Sequence, residues 1–465
     1  MYTEYRVGSS PLPGYGASPA RSLLSSPITS RPMTVSCRLT INGDRLNRHL
    51  VDLAQIGRTA TGGIDRVAYS AADLEARQVV QNWMEQAGMG VRLDAAGNMI
   101  GRYEGSQPHR PALATGSHID TVPNGGCYDG AYGVLAGMEV ARTLRDQQRR
   151  LHHALEVIVF TDEESSMIGS KAMAGRIVPN PGYYSRLDGS PIQTCLAQVG
   201  GNWNQIASAQ RRPGEMLAFL ELHVEQGPVL ETAGVAIGIV EGIVGQRRYY
   251  ISVTGVARHA GTTPMALRQD ALVAAAQIVL AVHQIAQQPG DQVATVGWLE
   301  VLPNVPNTIP GQVNLKLDMR DLANAHLDAM MVDLQSRFRE IAAATGTEIQ
   351  IQPRLRNDPA PAAPRIQAAI ASVCQDLGLS TLSLPSRASH DAQEMAALAD
   401  MGMIFVPSQA GISHADTEYT SPEQCALGAE VLLQSLLKLD QLYQTPPAKV
   451  IALASTLSPG CIGQA

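Results

Sequence analysis

The chain has 465 residues, 45% of them apolar and 17% charged, which suits a globular protein of two or three domains and excludes disordered, collagenous and coiled-coil classes. A net charge of −7 with no basic block argues against a nucleic-acid surface, and no apolar run reaches the ~18 residues of a membrane span. The six cysteines are scattered without a C-x-x-C pair, so they read as reduced thiols of a cytoplasmic protein rather than a disulfide framework or thiolate metal site.

Residues 1–41 read as a disordered tail, rich in Ser and Pro and lacking the apolar core of a secretory signal. With Glu4 its one acidic residue, an organelle transit peptide is the alternative. Folded sequence is expected from Asn42. Residues 71–87 carry apolar positions at helical spacing and stop at Gly88. Two short strands follow around an Ala-Gly-Asn turn at 96–98. ALATGS (112–117) and LEVIVF (155–160) are compact apolar runs of the buried-strand type, and 131–148 between them reads as a helix. LAFLEL (217–222), MIFV (403–406) and a helical 421–440 continue this α/β style, which predicts a mixed, mostly parallel sheet.

Residues 247–357 read differently. A strand at 249–256, an apolar helix at 266–287 and a strand at 293–301 precede QVNLKLDMR (312–320), which alternates strictly. Val313, Leu315, Leu317 and Met319 face one way, with Gln312, Asn314, Lys316, Asp318 and Arg320 on the other. A helix at 325–344 and the strand 348–352 complete a β-α-β-β-α-β order, the ferredoxin-like arrangement. The reading is therefore a catalytic domain in two parts, 42–246 and 358–443, with an α+β domain inserted at 247–357 and a C-terminal tail at 444–465.

Four acid- or histidine-bearing segments lie at predicted strand ends: GSHIDTVPNGGCYDG (116–130), FTDEES (160–165), ELHVEQG (221–227) and GISHADTE (411–418). Ligands bind outside the carboxyl ends of strands in open α/β sheets, so these segments predict one site rich in nitrogen and oxygen and free of sulfur. Such a set suits zinc, with manganese, cobalt or nickel as alternatives. In His118-x-Asp120 the carboxylate is expected to accept the imidazole's second N–H. Of the adjacent Glu163 and Glu164, one is expected to ligate metal and the other to act as a base. Each motif alone is more often surface decoration, and joint occurrence at strand ends is what selects them. His49, His109, His152, His153, His283 and His326 read as mostly solvated bystanders.

GSHIDTV…GGCYDGAYGV, TDEE, ELHVEQGPVLE, RHAGTTPM, Asn307-x-Ile-Pro, LDMRD, SHDA and GISHADTEYT occur in the order of one family. From about residue 42 to 440 the chain resembles the dinuclear-metal N-carbamoyl-L-amino-acid amidohydrolases and allantoate amidohydrolases, relatives of the zinc aminoacylases and carboxypeptidases. The resemblance implies two divalent ions per chain, bridged by Asp129, with His118 and His223 on one and Glu164 and His414 on the other. It implies Glu163 as general base, Asp120 as the group orienting His118, and His259 as an oxyanion-stabilising residue. It places Gln226 beside the metals, keeps His390 of SHDA at the substrate, and gives Asn307 and Arg320 to a substrate carboxylate. It also implies a homodimer through the inserted domain, with its histidine reaching the partner's site.

Two departures bear on the substrate. Where carbamoylases of the family commonly read E-E-G-S-R-F, this chain has EESSMIGSKAMAG (163–175), and where they read S-G-A-G-H-D-A it has Ser386-Arg387-Ala388-Ser389-His390-Asp391-Ala392. The expected activity is hydrolysis of a carbamoyl or ureido C–N bond on a small carboxylate by a metal-bridged hydroxide, with Glu163 shuttling the proton. A dipeptidase or aminoacylase of the same fold is one rival. A metal-bearing binding protein without catalysis is the other, and an intact Glu163 speaks against it.

Overall fold

The computed structural model describes residues 38–444, apart from 185, 187 and 291. The expected tails fall outside the described residues except at their inner ends. Leu39 and Ile41 are already docked: the Leu39 carbonyl accepts from Gln434 Nε2 at 2.6 Å and the Ile41 N–H donates to Glu430 at 3.0 Å.

Helices α1 (Gly43–Leu53) and α2 (Ala71–Gln86) start where Asn42 and Ser70 cap them by accepting the backbone N–H three residues on. Strands β1 (Gly90–Leu93), β2 (Met99–Tyr103) and β3 (Ala112–His118) lead to α3 (Ala131–Asp146) and β4 (Leu155–Phe160). Short helices α4 (Ile168–Met173) and α5 (Ile192–Gln198) precede β5 (Met216–Val224), α6 (Val229–Ala233) and β6 (Ile237–Ile243). After β7 (Gly245–Thr254) and β8 (Arg258–His259) come α7 (Ala271–Ala286), β9 (Val293–Leu302), β10 (Thr308–Ile309), β11 (Gln312–Asp321), α8 (Asn324–Thr345) and β12 (Glu348–Asn357). The described residues end with β13 (Ala360–Pro361), α9 (Pro364–Leu377), β14 (Thr381–Ser386), α10 (Asp391–Met395), β15 (Asp400–Val406) and α11 (Pro422–Leu442).

A nine-stranded mixed sheet runs β1-β2-β4-β3-β5-β15-β6-β13, with β14 added alongside β6. Its centre, β4-β3-β5-β15, is parallel, and the antiparallel pairs lie toward its flanks. Every side chain of β3 and β4 is buried, as expected of strands covered on both faces. The largest apolar core joins one face to α1, α2, α3, α9 and α11. Because the central strands share a direction, their carboxyl ends deliver His118, Glu163, His223 and His414 to one edge.

The second sheet is fully antiparallel, β12-β7-β11-β9, and has the ferredoxin-like element order. Helices α7 and α8 cover one face over a core of its own that includes Ile251, Ile278, Leu315, Leu334 and Phe338. The β11 alternation matches expectation, with Val313, Leu315, Leu317 and Met319 buried. Asn314 departs from it: on the polar face, it is buried by hydrogen bonds with Ser252 and Glu300 of the neighbouring strands. Helix α7 begins at 271 rather than 266, because the Asp270 carboxylate accepts the N–H groups of Leu272 and Val273 and caps it there. No helix among the described residues is long and apolar enough to cross a membrane.

The expectation that the remaining histidines are mostly solvated fails at His153, which is buried. Asp440 on α11 accepts the backbone N–H groups of both His152 and His153 and pairs with both rings at 2.8–2.9 Å, tying the last helix to the entry of β4. Burial pushes the Asp440 carboxyl up, but these four donors outweigh it and hold the pKa below its ordinary value. Asp440→Ala strands buried N–H groups, so urea unfolding at pH 7 should show a loss of about 1–3 kcal/mol. The contribution is present above the unfolded pKa of ~3.9 and disappears as pH falls through the folded value, so variant and wild type should converge in acid.

Candidate active site

Asp129 is the hub. It is buried on the loop between β3 and α3, and its two carboxylate oxygens face opposite groups. Oδ1 lies 3.1 Å from His223 Nε2 and 3.6 Å from His118 Nε2, and Oδ2 lies 3.2 Å from His414 Nε2. His414 Nε2 is also 3.5 Å from Glu164, which makes two triads that share Asp129: His118–Asp129–His223 and Asp129–Glu164–His414.

The imidazoles are oriented from behind. His118 Nδ1 lies 2.9 Å from the Asp120 carbonyl and His223 Nδ1 2.8 Å from the Val224 carbonyl. These contacts place a proton on Nδ1 of each ring and turn each Nε2 toward Asp129. Gly130 makes this approach feasible: its φ is +63°, and a Cβ there would lie 2.4 Å from His118 Nε2.

One expectation is corrected here. Asp120 orients His118 through its backbone carbonyl, while its carboxylate stays 3.7 Å from the ring. That carboxylate instead accepts the backbone N–H groups of Glu163 and Glu164 at 3.4 and 3.3 Å. It pins the turn that follows Asp162, whose φ is +58°, so both glutamates enter one cavity instead of pointing to opposite faces.

Fixed negative charge dominates the electrostatics. Burial, reinforced by neighbouring carboxylates, raises Glu163 well above the usual range, and burial with Asp129 takes Glu164 to about 7. Asp129 goes the other way: the three imidazoles outweigh its burial and hold it well below. The bond to Asp129 raises His414 to about 9, and His118 is raised by Glu163 and Asp129 despite its burial. Protons on these imidazoles do what divalent cations would do between them and the carboxylates. Three imidazole nitrogens, a two-sided carboxylate and Glu164 fit a pair of divalent ions by donor chemistry. The buried, unpartnered Gln226 Oε1 beside Asp129 adds an orphaned acceptor at the same place.

The other expected residues divide. Gln226 (φ +58°) donates to Asp129 Oδ2 at 2.7 Å. His390 is buried edge-on against His223 and bonds Ser386 Oγ through Nε2, and burial plus His223 hold its pKa well below the ordinary value. It is therefore neutral at pH 7. Arg320 lines the same cavity of about 590 Å3 as the triads, but its Nε is engaged by Asp318 and its Nη1 by the Arg387 carbonyl. His259 and Asn307 do not line that cavity. They meet each other where β8 pairs with β10, the Ala260 N–H donating to the Asn307 carbonyl, and His259 is exposed.

Sequence reasoning missed two carboxylates. Glu418, inside the GISHADTE segment, accepts the N–H groups of Tyr128 and Asp129 through Oε1 and the Ser413 hydroxyl through Oε2. Gly126 passes so close that a Cβ would lie 2.1 Å from it. Glu221, in LAFLEL, joins Ser117 of β3 to the Ala392 N–H of α10. Its signal was a lone carboxylate within an otherwise apolar strand.

The model of Peptidase family M20/M25/M40 matches residues 114–438. The chain belongs to this family. It is 40% identical over 406 residues to an N-carbamoyl-L-amino acid amidohydrolase of Geobacillus stearothermophilus, covering 86% of this chain and 99% of that protein. An allantoate amidohydrolase of Bacillus subtilis is 36% identical over 83% of this chain and 95% of its own length. Among solved structures, an amidase of the hydantoinase/carbamoylase family from Burkholderia multivorans superposes with a TM-score of 0.80 at 36% identity, covering 86% and 98% of the two chains. As a member of the M20 family the chain is a hydrolase acting on carbon–nitrogen bonds.

Glu418 ties the Asp129 loop to the His414 loop. Glu418→Ala strands two backbone N–H groups, at about 1–3 kcal/mol each, and frees the Asp129 loop. Calorimetric titration of chelator-treated protein should show divalent-ion affinity reduced at least tenfold. Wild-type affinity in this variant would remove Glu418 from that role.

Proposed function

We propose that the chain is a dinuclear-metal amidohydrolase that cleaves the carbamoyl or ureido C–N bond of a small carboxylate, such as an N-carbamoyl-L-amino acid or allantoate. The observation that carries this reading is Asp129, with one oxygen toward His118 and His223 and the other toward His414, beside Glu164. His118, His223 and Asp129 would hold one divalent ion, and Asp129, Glu164 and His414 the other. When bound, such ions polarise a substrate carbonyl and lower the pKa of water toward neutrality.

The remaining work falls to the chain's own groups. Glu163, 3.7 Å from His118 on the cavity wall, takes a proton from the attacking water and delivers it to the leaving nitrogen. Water adds its oxygen to the carbamoyl carbon, the C–N bond breaks, and the released carbamate decomposes to carbon dioxide and ammonia. The neutral His390, its proton on Nε2 toward Ser386, offers Nδ1 as an acceptor to the substrate. Arg320, held by Asp318, presents its remaining N–H groups to the substrate carboxylate.

Ammonia release from metal-loaded protein on N-carbamoyl-L-amino acids, allantoate and ureidoglycolate, with amino-acid analysis for freed amino acids on dipeptides, tests the reading. Turnover should be confined to carbamoyl and ureido substrates and abolished reversibly by chelation. Glu163→Gln should lower kcat at least ~10² fold with metal content kept, whereas Glu164→Gln should lose metal. Turnover of dipeptides alone would favour the peptidase reading.

The homodimer belongs to the same proposal. Its support is the position of His259 and Asn307, off the cavity, and the apolar side chains exposed on α7 (Leu272, Val273, Leu280) and edge strand β9 (Val293, Leu299, Leu302). In this reading His259 of one protomer stabilises the oxyanion in its partner's site. Mixing inactive His259→Ala and Glu163→Ala proteins with subunit exchange makes half the dimers mixed, each with one intact site. Activity should return to about a quarter of wild type. Confirmed exchange without recovery would rule out the trans arrangement.

A further inference from the structure

The cavity wall opposite the triads is the open face of the second sheet, where β7 and β11 pair with Asp318 beside Arg248 and Arg320 beside Gln246. These four residues share one face because strand side chains alternate. Asp318 sits between the two arginines. Its Oδ1 accepts from Arg320 Nε at 2.9 Å, and its Oδ2 accepts from Arg248 Nε at 2.8 Å and Gln246 Nε2 at 2.6 Å. One carboxylate therefore orients two guanidiniums.

Their remaining donors differ. Arg320 spends Nη1 on the Arg387 carbonyl at 2.6 Å, and its side chain is 30% exposed. The Arg248 guanidinium makes no hydrogen bond beyond Nε among the described residues, and the side chain is 53% exposed. Its end-on fork of Nη1 and Nη2, the pair that matches the two oxygens of a carboxylate, is thus free and already oriented. Arg248 also borders a second space of about 630 Å3 along the same sheet face, lined by Tyr250, Trp298 and Lys316. Arg248 thus lines both spaces.

We propose that Arg248 and Arg320 form a paired-guanidinium subsite for a substrate bearing two carboxylates, so that the preferred class is the N-carbamoyl derivative of an acidic amino acid. Arg320 takes the carboxylate next to the scissile nitrogen, and Arg248 takes the one on the side chain. This deepens the amidohydrolase reading above and rests on it for the reacting bond.

The test compares N-carbamoyl-L-aspartate with N-carbamoyl-L-asparagine, which differ only in carboxylate against amide, on metal-loaded full-length protein. Wild type should favour the aspartate compound in kcat/KM by about tenfold or more, the scale of a charge-assisted fork. Arg248→Gln should collapse that ratio through KM. The ratio is read within each protein, so any general loss of activity cancels. No preference in wild type, or an undiminished preference in Arg248→Gln, overturns the subsite while leaving the amidohydrolase reading intact. If neither compound is hydrolysed, the reaction assigned above fails, and calorimetric binding of succinate against succinamate decides the subsite by itself. Tighter succinate binding that Arg248→Gln abolishes supports it, and equal binding overturns it.

Discussion

Everything at the candidate site depends on keeping Asp129 ionised in a buried place with both oxygens shared. Burial alone would protonate it, and three imidazoles reverse that. The arrangement is tolerable because the two buried imidazoles, His118 and His223, are pinned from behind, and because Glu418 holds the Asp129 loop by two N–H groups. Two glycines let these groups approach: Gly130 clears His118, and Gly126 clears Glu418. Left-handed backbone at Asp162, Gln226 and His414 is the local cost of aiming three side chains at one point.

The two sheets divide the labour. Central parallel strands of the larger sheet bring nitrogen and oxygen donors together at their carboxyl ends, where loops can turn sharply without breaking the ladder. The antiparallel sheet offers a polar face whose cations are already paired through Asp318. A donor set for cations thus faces a donor set for anions across about 590 Å3. That polarity suits a small anionic substrate whose reacting carbonyl points one way and whose carboxylates point the other.

Much of this was legible in the chain's one-dimensional pattern. The runs at 112–117 and 155–160 are mostly apolar and form buried strands, and Glu156 is admitted because Arg102 and Arg211 pair with it. The alternation of 312–320 holds residue by residue, except that neighbouring strands bury Asn314. Helix α7 starts late because Asp270 is a better N-terminal cap than anything before it. His152 and His153 looked like solvated bystanders because their partner, Asp440, lies 287 residues away from His153 along the chain.

The sequence by itself determined the central strands and the longer helices, the order of the ferredoxin-like unit, and the set of residue types that meet at the strand ends. Those follow from local periodicity and from the shared direction of parallel strands. Only the tertiary structure decided which atom does what. Asp120 acts on His118 through its carbonyl and on the glutamate turn through its carboxylate, because the turn after β4 comes within hydrogen-bond reach of it. Glu418 and Glu221 hold loops distant in sequence. Arg248 keeps its fork while Arg320 spends part of its own, because the Arg387 carbonyl reaches one guanidinium and not the other. Hydrogen-bond geometry is set to within tenths of an ångström by packing of the whole chain, and no local pattern carries that information.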